Sequence, residues 1–455
     1  MSGLYAHQRK QPPFLESAIA KLPVDSLRVI TLPAPVCLPE NLLRGGADPR
    51  ALLLASGEDG VAGLGVGVEL RASGPGRFER IQELADDVFR GIKRLDSPKV
   101  FAPPPRFYGG FAFNEGAADD TLWEAFGDAL FVMPRWLYGC SEGQAWLRLT
   151  LPKGDFGDAA PSEYADYLER LAKNHEPPSA ASYQRRETES PEKYHERIDL
   201  LRTDIESGRY EKVVAARRLE VDLEAPIDDL VPLLAFRERF PACTRFAFRI
   251  DQRTFVGATP ERLVRRQGQH VETVALAGTV PHGKREELIA SKKDAWEHRL
   301  VVDAIHDSLR DSVDLSPDSG VVVRELANVL HLETPIEGDL KDDAHILSLV
   351  ESLHPTPAVG GVPRAAAVEH IRTNESPRGW YASPIGSFDA AGEGEFSVAL
   401  RCGIVEEERA TAYAGGGIVQ DSKADLEYQE SELKLEAFLG ALGAEKPRSK
   451  KSSEN

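Results

Sequence analysis

The sequence predicts a layered α/β (α+β) protein whose sheets are largely antiparallel. Two observations carry this. Runs with alternating apolar and polar residues, bounded by Gly, Asn or Asp turns, read as antiparallel hairpins. Long stretches with helical spacing separate these runs into groups, which indicates layers of sheet and helix and not a doubly wound unit.

Taken in chain order, "FERIQELADDVFRGIKRL" (78–95) has helical spacing, whereas "VFAPPPRFYGGFAF" (100–113) and "AWLRLTL" (145–151) are strand-like. The polar stretch 173–194, "KNHEPPSAASYQRRETESPEKY", breaks the pattern and is expected to connect two halves, 1–188 and 189–442, over the surface. Ser190, Pro191 and Glu192 then form a helix start, with cap, first-turn proline and early acid, for a helix running to about Gly208. "YEKVVAARRLEVDL" (210–223) reads as a strand, followed by hairpins in 246–258, 262–276 and 394–419. Helical patterns fill 284–312, 363–371 and 423–441, and the polar residues 443–455 are expected to form a disordered tail.

Composition narrows the function. A chain of 455 residues with 42% hydrophobic content is long enough for a large core, as one or two large domains or about three of ordinary size. The formal net charge of -18 disfavours nucleic acid and anionic membranes as partners, which leaves a small ligand. No run reaches the roughly 18 apolar residues of a membrane span, and the opening "MSGLYAHQRKQPP" lacks a signal-peptide core, so a cytoplasmic location is expected. Cys37, Cys140, Cys243 and Cys402 have neither zinc nor disulfide-framework spacing.

Lys212 is the residue that calls for a chemical reason. With a period of two it shares a strand face with Val214 and Ala216, while Val213, Ala215, Leu219 and Val221 point the other way. A lysine there either snorkels to water or loses hydration and becomes available as a free amine, a general base. Asp294 and Glu297 lie three apart on one helical face; Glu427 and Glu430 do the same, with Lys434 four beyond. Such acids are either solvated faces or, if the helices meet, an oxygen-only site for a hard divalent ion, Mg²⁺ above others. "ALAGT" (275–279) and "AGGGIV" (414–419) end strands in glycine, as tight turns or as backbone free to approach an anion; neither is a nucleotide fingerprint. His331 and Arg401 are polar residues within apolar runs.

From residue 190 to about 440 the chain resembles the chorismate-utilising enzymes. The resemblance rests on "EKVVAARR", "FVGATPERLVRR", "ALAGT", "SKKDAWEHRLVVD", "LHLETPIEGDL", "LHPTPAVGGVPR", "WYASPIGSFD", "VALRCGIV" and "YAGGGIVQDSKADLEYQESELK", in that order. It implies one large antiparallel β-sheet sandwich with helices packed outside, to which the first 188 residues also contribute. Within the family Lys212 looks like the base that isochorismate and salicylate synthases use on water. Ala277 stands where aminodeoxychorismate synthases carry a lysine, and "LHPTPAVGG" is more like isochorismate synthases than anthranilate synthases. "FLES" (14–17) is a slight likeness to the regulatory segment of tryptophan-sensitive relatives.

What the resemblance implies is an isochorismate synthase. Lys212 would take a proton from water attacking C2 of chorismate, and Glu261 would protonate the hydroxyl leaving C4. Glu297 and Glu430 would bind Mg²⁺, assisted by Asp294 and Glu427. Arg401, Lys434 and the backbone at Gly278, Thr279 and Gly415 would contact the carboxylate and enolpyruvyl groups, with His331 beside the ring. Salicylate synthase, an anthranilate synthase component and a non-catalytic chorismate-binding subunit are the alternatives. No obligatory protein partner is expected, and the product would supply menaquinone, siderophore or salicylate formation.

Overall fold

The computed structural model describes residues 13–445 except 46–47, 174–180, 229, 318 and 327–328. Among these, one 14-stranded and one 10-stranded sheet carry the architecture, and both draw strands from the first and the second half of the chain. In the larger sheet Arg50–Ser56 pairs with Thr244–Ile250; in the smaller, Arg106–Phe111 pairs with Pro384–Asp389. Nearly all pairings are antiparallel, as the alternating patterns require.

The reason these strands face one another is aromatic. Phe246, Phe248 and Phe255 of the larger sheet and Phe107, Phe131, Phe388 and Phe396 of the smaller belong to one buried core. Trp380 contacts Phe126, Phe248 and Phe255 with ring centroids 5.6, 5.6 and 6.4 Å apart. Tilted and edge-on pairs of this kind each add about 0.5–1.5 kcal/mol beyond the area they bury. A second core, with Leu219, Val221, Phe236, Leu435 and Phe438, joins the larger sheet to helices Leu230–Arg239 and Ala424–Leu442. Helices therefore pack on the sheets as expected.

The helix after the connection spans Pro191–Glu206, and the Ser190 side chain accepts from the Lys193 N–H, the cap read from the sequence. The stretch 284–312, read as one helix, is two, Arg285–Ala290 and Lys292–Leu309, parted at Ser291, whose side chain caps the second, and four further local readings differ. The helix at 78–95 stops at Gly91, because Ile92–Asp96 pairs in parallel with Leu27–Thr31. The stretch read as surface connection contains strand Ala181–Glu187, whose polar side chains hid its ladder with Leu219–Leu223. Gly443–Glu445 is not tail but a short strand on Ala181–Tyr183; the remainder of the expected tail, 446–455, lies outside the described residues.

The fourth difference matters most for function. Gly394–Val398 does not form a hairpin with Cys402–Glu406: the first belongs to the smaller sheet, the second to the larger. Likewise Arg253–Thr259 lies in the larger sheet and Arg262–Gln267 in the smaller. The chain thus crosses between sheets at Pro260–Glu261 and again at Ala399–Arg401. The crossings are tied together, since the Val398 N–H donates to Glu261 O and the Thr259 hydroxyl to Val398 O. Among the described residues no helix is long and apolar enough to cross a membrane.

Candidate active site

A cavity with an empty volume of about 780 Å³ lies where the chain changes sheets, lined by Glu261, Glu297, His331, Arg401, Glu430 and Lys434 among others. Its lining, with a few convergent polar and charged groups among apolar ones, is of the kind found at small-molecule sites. Gly278, Thr279 and Gly415 also line it.

Lys212 opens strand Lys212–Leu223 and is fully buried. Its Nζ lies 2.7 Å from Glu297 Oε1. The contact is an ion pair by distance, but Nζ has no well-angled hydrogen-bond acceptor. This corrects the expectation of an ammonium among small apolar neighbours alone: a carboxylate from another element stands beside it. Burial would raise the Glu297 carboxyl, but Lys212 and Lys293 hold it below its ordinary value. Room for the pair comes from Gly417, where a Cβ would stand 2.3 Å from Glu297 Oε1 and 2.5 Å from Lys212 Cε.

Glu261 sits at the first crossing and is buried. Desolvation pushes its carboxyl up to about 7, against the opposing pull of Lys212, Lys434 and Arg324. At neutral pH it is therefore poised to give or receive a proton.

Around the cavity the other residues are held by identifiable contacts. A bulge between Ala277 and Thr279 gives Gly278 a φ of +77°, and a Cβ there would come within 3.0 Å of Asp294 Cβ. His331 Nδ1 is 3.0 Å from Thr279 Oγ1 and 3.3 Å from Gly278 O. Burial, then Arg401 and Lys434, lower the His331 ring well below its ordinary value, so it is neutral. Arg401, at the second crossing with φ +49°, makes a long contact from Nη2 to His331 Nε2 and donates from Nη1 to Cys243 Sγ. Lys434 Nζ donates to Gly415 O at 2.8 Å.

The four acids expected to hold a metal lie on two helices, Lys292–Leu309 and Ala424–Leu442, near enough for Glu430 to act on both Asp294 and Glu427. Burial raises the Asp294 carboxyl, and Glu297 and Glu430 add to the rise; burial raises that of Glu427, with Glu430 next. Lysines hold three of them: Lys212 on Glu297, Lys293 on Glu427 at 2.8 Å and Lys434 on Glu430 at 2.6 Å. Among the described residues no three His, Cys, Asp or Glu side chains close on one point as a metal cage. The donor set nevertheless fits a hard cation. It is oxygen-only, its members repel, and Glu427 Oε2 is buried beside Ser422 without a well-angled hydrogen bond.

Three contributors escaped the sequence reading. Lys293 lay in plain view in "SKKD", but its partner is on another helix. Tyr381, in "WYASPIG", lines the cavity with its hydroxyl 2.9 Å from where a Gly415 Cβ would be. Arg324 acts on Glu261 from the strand Val322–Glu325.

A cavity lined by a carboxyl raised to about 7, a guanidinium, an ammonium and further carboxylates has the chemistry of an enzyme site for a small molecule. Residues 46–443 match the family described as "Chorismate binding enzyme", and the chain belongs to it. It is 33% identical to the isochorismate synthase MenF of Bacillus subtilis over 81% of this chain and 80% of that protein. It is 34% identical to the salicylate biosynthesis isochorismate synthase of Pseudomonas aeruginosa, over 84% and 82%. In fold it is similar to the menaquinone-specific isochorismate synthase MenF of Escherichia coli, with a TM-score of 0.76 at 24% identity, covering 94% of this chain and 99% of that one.

Proposed function

We infer that the protein is a Mg²⁺-dependent isochorismate synthase, adding water at C2 of chorismate and expelling the C4 hydroxyl. The observation that carries this reading is Glu261, whose buried carboxyl is raised to about 7 in the cavity that also holds Glu297, the ion-pair partner of Lys212. The relatives from Bacillus subtilis and Pseudomonas aeruginosa, each matched over about four fifths of its length, are named as isochorismate synthases, which supports the same assignment.

In this mechanism Lys212 Nζ accepts a proton from the water that attacks C2. Glu261 gives its proton to the C4 oxygen, which leaves as water while the ring double bonds shift. Arg401 and Lys434, with the amides near Thr279 and Gly415, bind the carboxylate and enolpyruvyl groups; Arg suits a carboxylate because its planar fork makes two parallel bonds. Neutral His331, fixed through Nδ1, orients the ring. Glu297 and Glu430, assisted by Asp294 and Glu427, would hold Mg²⁺, whose charge offsets the acids and supplies a counter-ion to the ring carboxylate.

Purified protein incubated with chorismate and Mg²⁺, its products separated by chromatography, tests the reading. Isochorismate alone is expected. Salicylate formed without an added lyase would make it a salicylate synthase, anthranilate on adding ammonium salts an anthranilate synthase component, and binding without turnover a non-catalytic subunit.

A further inference from the structure

Glu261 is shared by two cavities. Pro260 and Glu261 line both the substrate cavity and a second space, of about 1170 Å³ empty volume, whose walls include Thr259, Thr273, Arg324, Glu333 and Ser397. This second space reaches the surface, since Ser56, Ala242 and Glu337 on its rim are exposed. Its wall is polar and ordered. The Glu261 N–H donates to Thr259 Oγ1 at 3.2 Å, and Arg324 Nη1 to Glu333 Oε2 at 2.7 Å. Arg324 is also one of the cations that act on the Glu261 carboxyl.

The proton balance of the reaction gives this geometry a purpose. In each turnover a C2–O bond forms as Lys212 takes one proton from water. A C4–O bond breaks as Glu261 gives one proton to the departing hydroxyl. The enzyme is left with Glu261 as carboxylate and Lys212 as ammonium, and neither can act again until a proton is returned to the first and removed from the second. Glu261 is almost fully buried, so the returning proton needs a path to it.

We propose that the second cavity is the route by which solvent returns the proton to Glu261 between turnovers, with Arg324 and Glu333 as its polar wall. A polar passage open to solvent admits the water through which a proton can reach such a group. The carboxyl's poise near 7 suits a group that must be refilled from neutral water. The inference rests on the water-addition reading above.

The test narrows the rim without touching the substrate cavity. Ala242→Trp fills the mouth from an exposed turn, and Thr244→Leu does so from the start of its strand. Rapid-quench measurement of isochorismate should show a first turnover at the wild-type rate in either variant. Steady-state turnover should then fall by roughly tenfold, within what one proton-transfer step supplies, and protonated imidazole added as a small acid should restore part of it. Two folded variants that keep the wild-type steady-state rate would overturn the route and favour transfer from Lys212 through the released water. So would an equal loss in the first and later turnovers. Absence of isochorismate from the wild-type protein would instead remove the functional reading itself, so the two failures are distinguishable.

Discussion

Lys212 and Glu261 carry opposite assignments, and single substitutions separate them. Lys212→Ala removes the base but none of the groups proposed to bind the carboxylates, so turnover should fall roughly 10²–10⁴-fold while Mg²⁺-dependent chorismate binding, followed by calorimetry, persists. Retention of wild-type turnover would remove Lys212 from the chemistry. Glu261 makes a prediction about stability as well. Its carboxyl titrates near 4.5 in an unfolded chain and near 7 when folded. Between those values the folded protein keeps a proton that the unfolded chain has lost. The stabilisation is therefore full below 4.5 and lost as pH rises through 7, a change of up to about 3 kcal/mol. Glu261→Gln should flatten that part of the pH–melting curve and lower turnover; a curve as steep as the wild type's would show that another group is responsible.

At the scale of elements, the strand Arg409–Ile418 and the helices Lys292–Leu309 and Ala424–Leu442 decide whether the acids and lysines can meet. Gly417 is the tightest point, with a Cβ position 2.3 Å from Glu297 Oε1, whereas at Gly416 the nearest atom is Glu427 Oε2 at 3.2 Å. Gly417→Ala should therefore displace the Lys212–Glu297 pair, costing about 1–3 kcal/mol of stability and most of the activity. Gly416→Ala should be milder. Equal melting temperatures and rates for the two variants would contradict this account. Part of this scale was legible in the sequence: the Ser190 cap and the acid pairs three apart on their helices were read as local features, whereas the glycine run, read as ending a strand, lies within the ladder opposite Val214–Ala216. The glycines' main role was not legible, because what a missing Cβ makes room for depends on a helix some hundred residues away in sequence.

In the whole molecule the two halves are not separable. The first half supplies Arg50–Ser56 to the larger sheet and Arg106–Phe111 to the smaller, each beside strands of the second half. It also supports the site wall. Trp123 Nε1 donates to the Tyr413 hydroxyl at 3.1 Å, and Tyr413 stacks on Tyr381 with centroids 5.1 Å apart. A fragment of residues 189–445 would bare the inner strands Thr244–Ile250 and Pro384–Asp389 as unpaired edges, a template for aggregation. It should fail to give a monodisperse folded species by gel filtration and circular dichroism, while the full chain does; a folded, chorismate-binding fragment would show the halves to be independent.

Periodicity, caps and the order of motifs are local properties, and from them the sequence alone determined a layered antiparallel α/β protein and its resemblance to chorismate-utilising enzymes. The tertiary structure decided the rest: that the chain changes sheets at Glu261 and Arg401, that Lys212 meets Glu297, and that three lysines sit on three of the four acids. Charge state and cavity shape are set by groups brought together from distant parts of the chain, and no window of residues contains both partners.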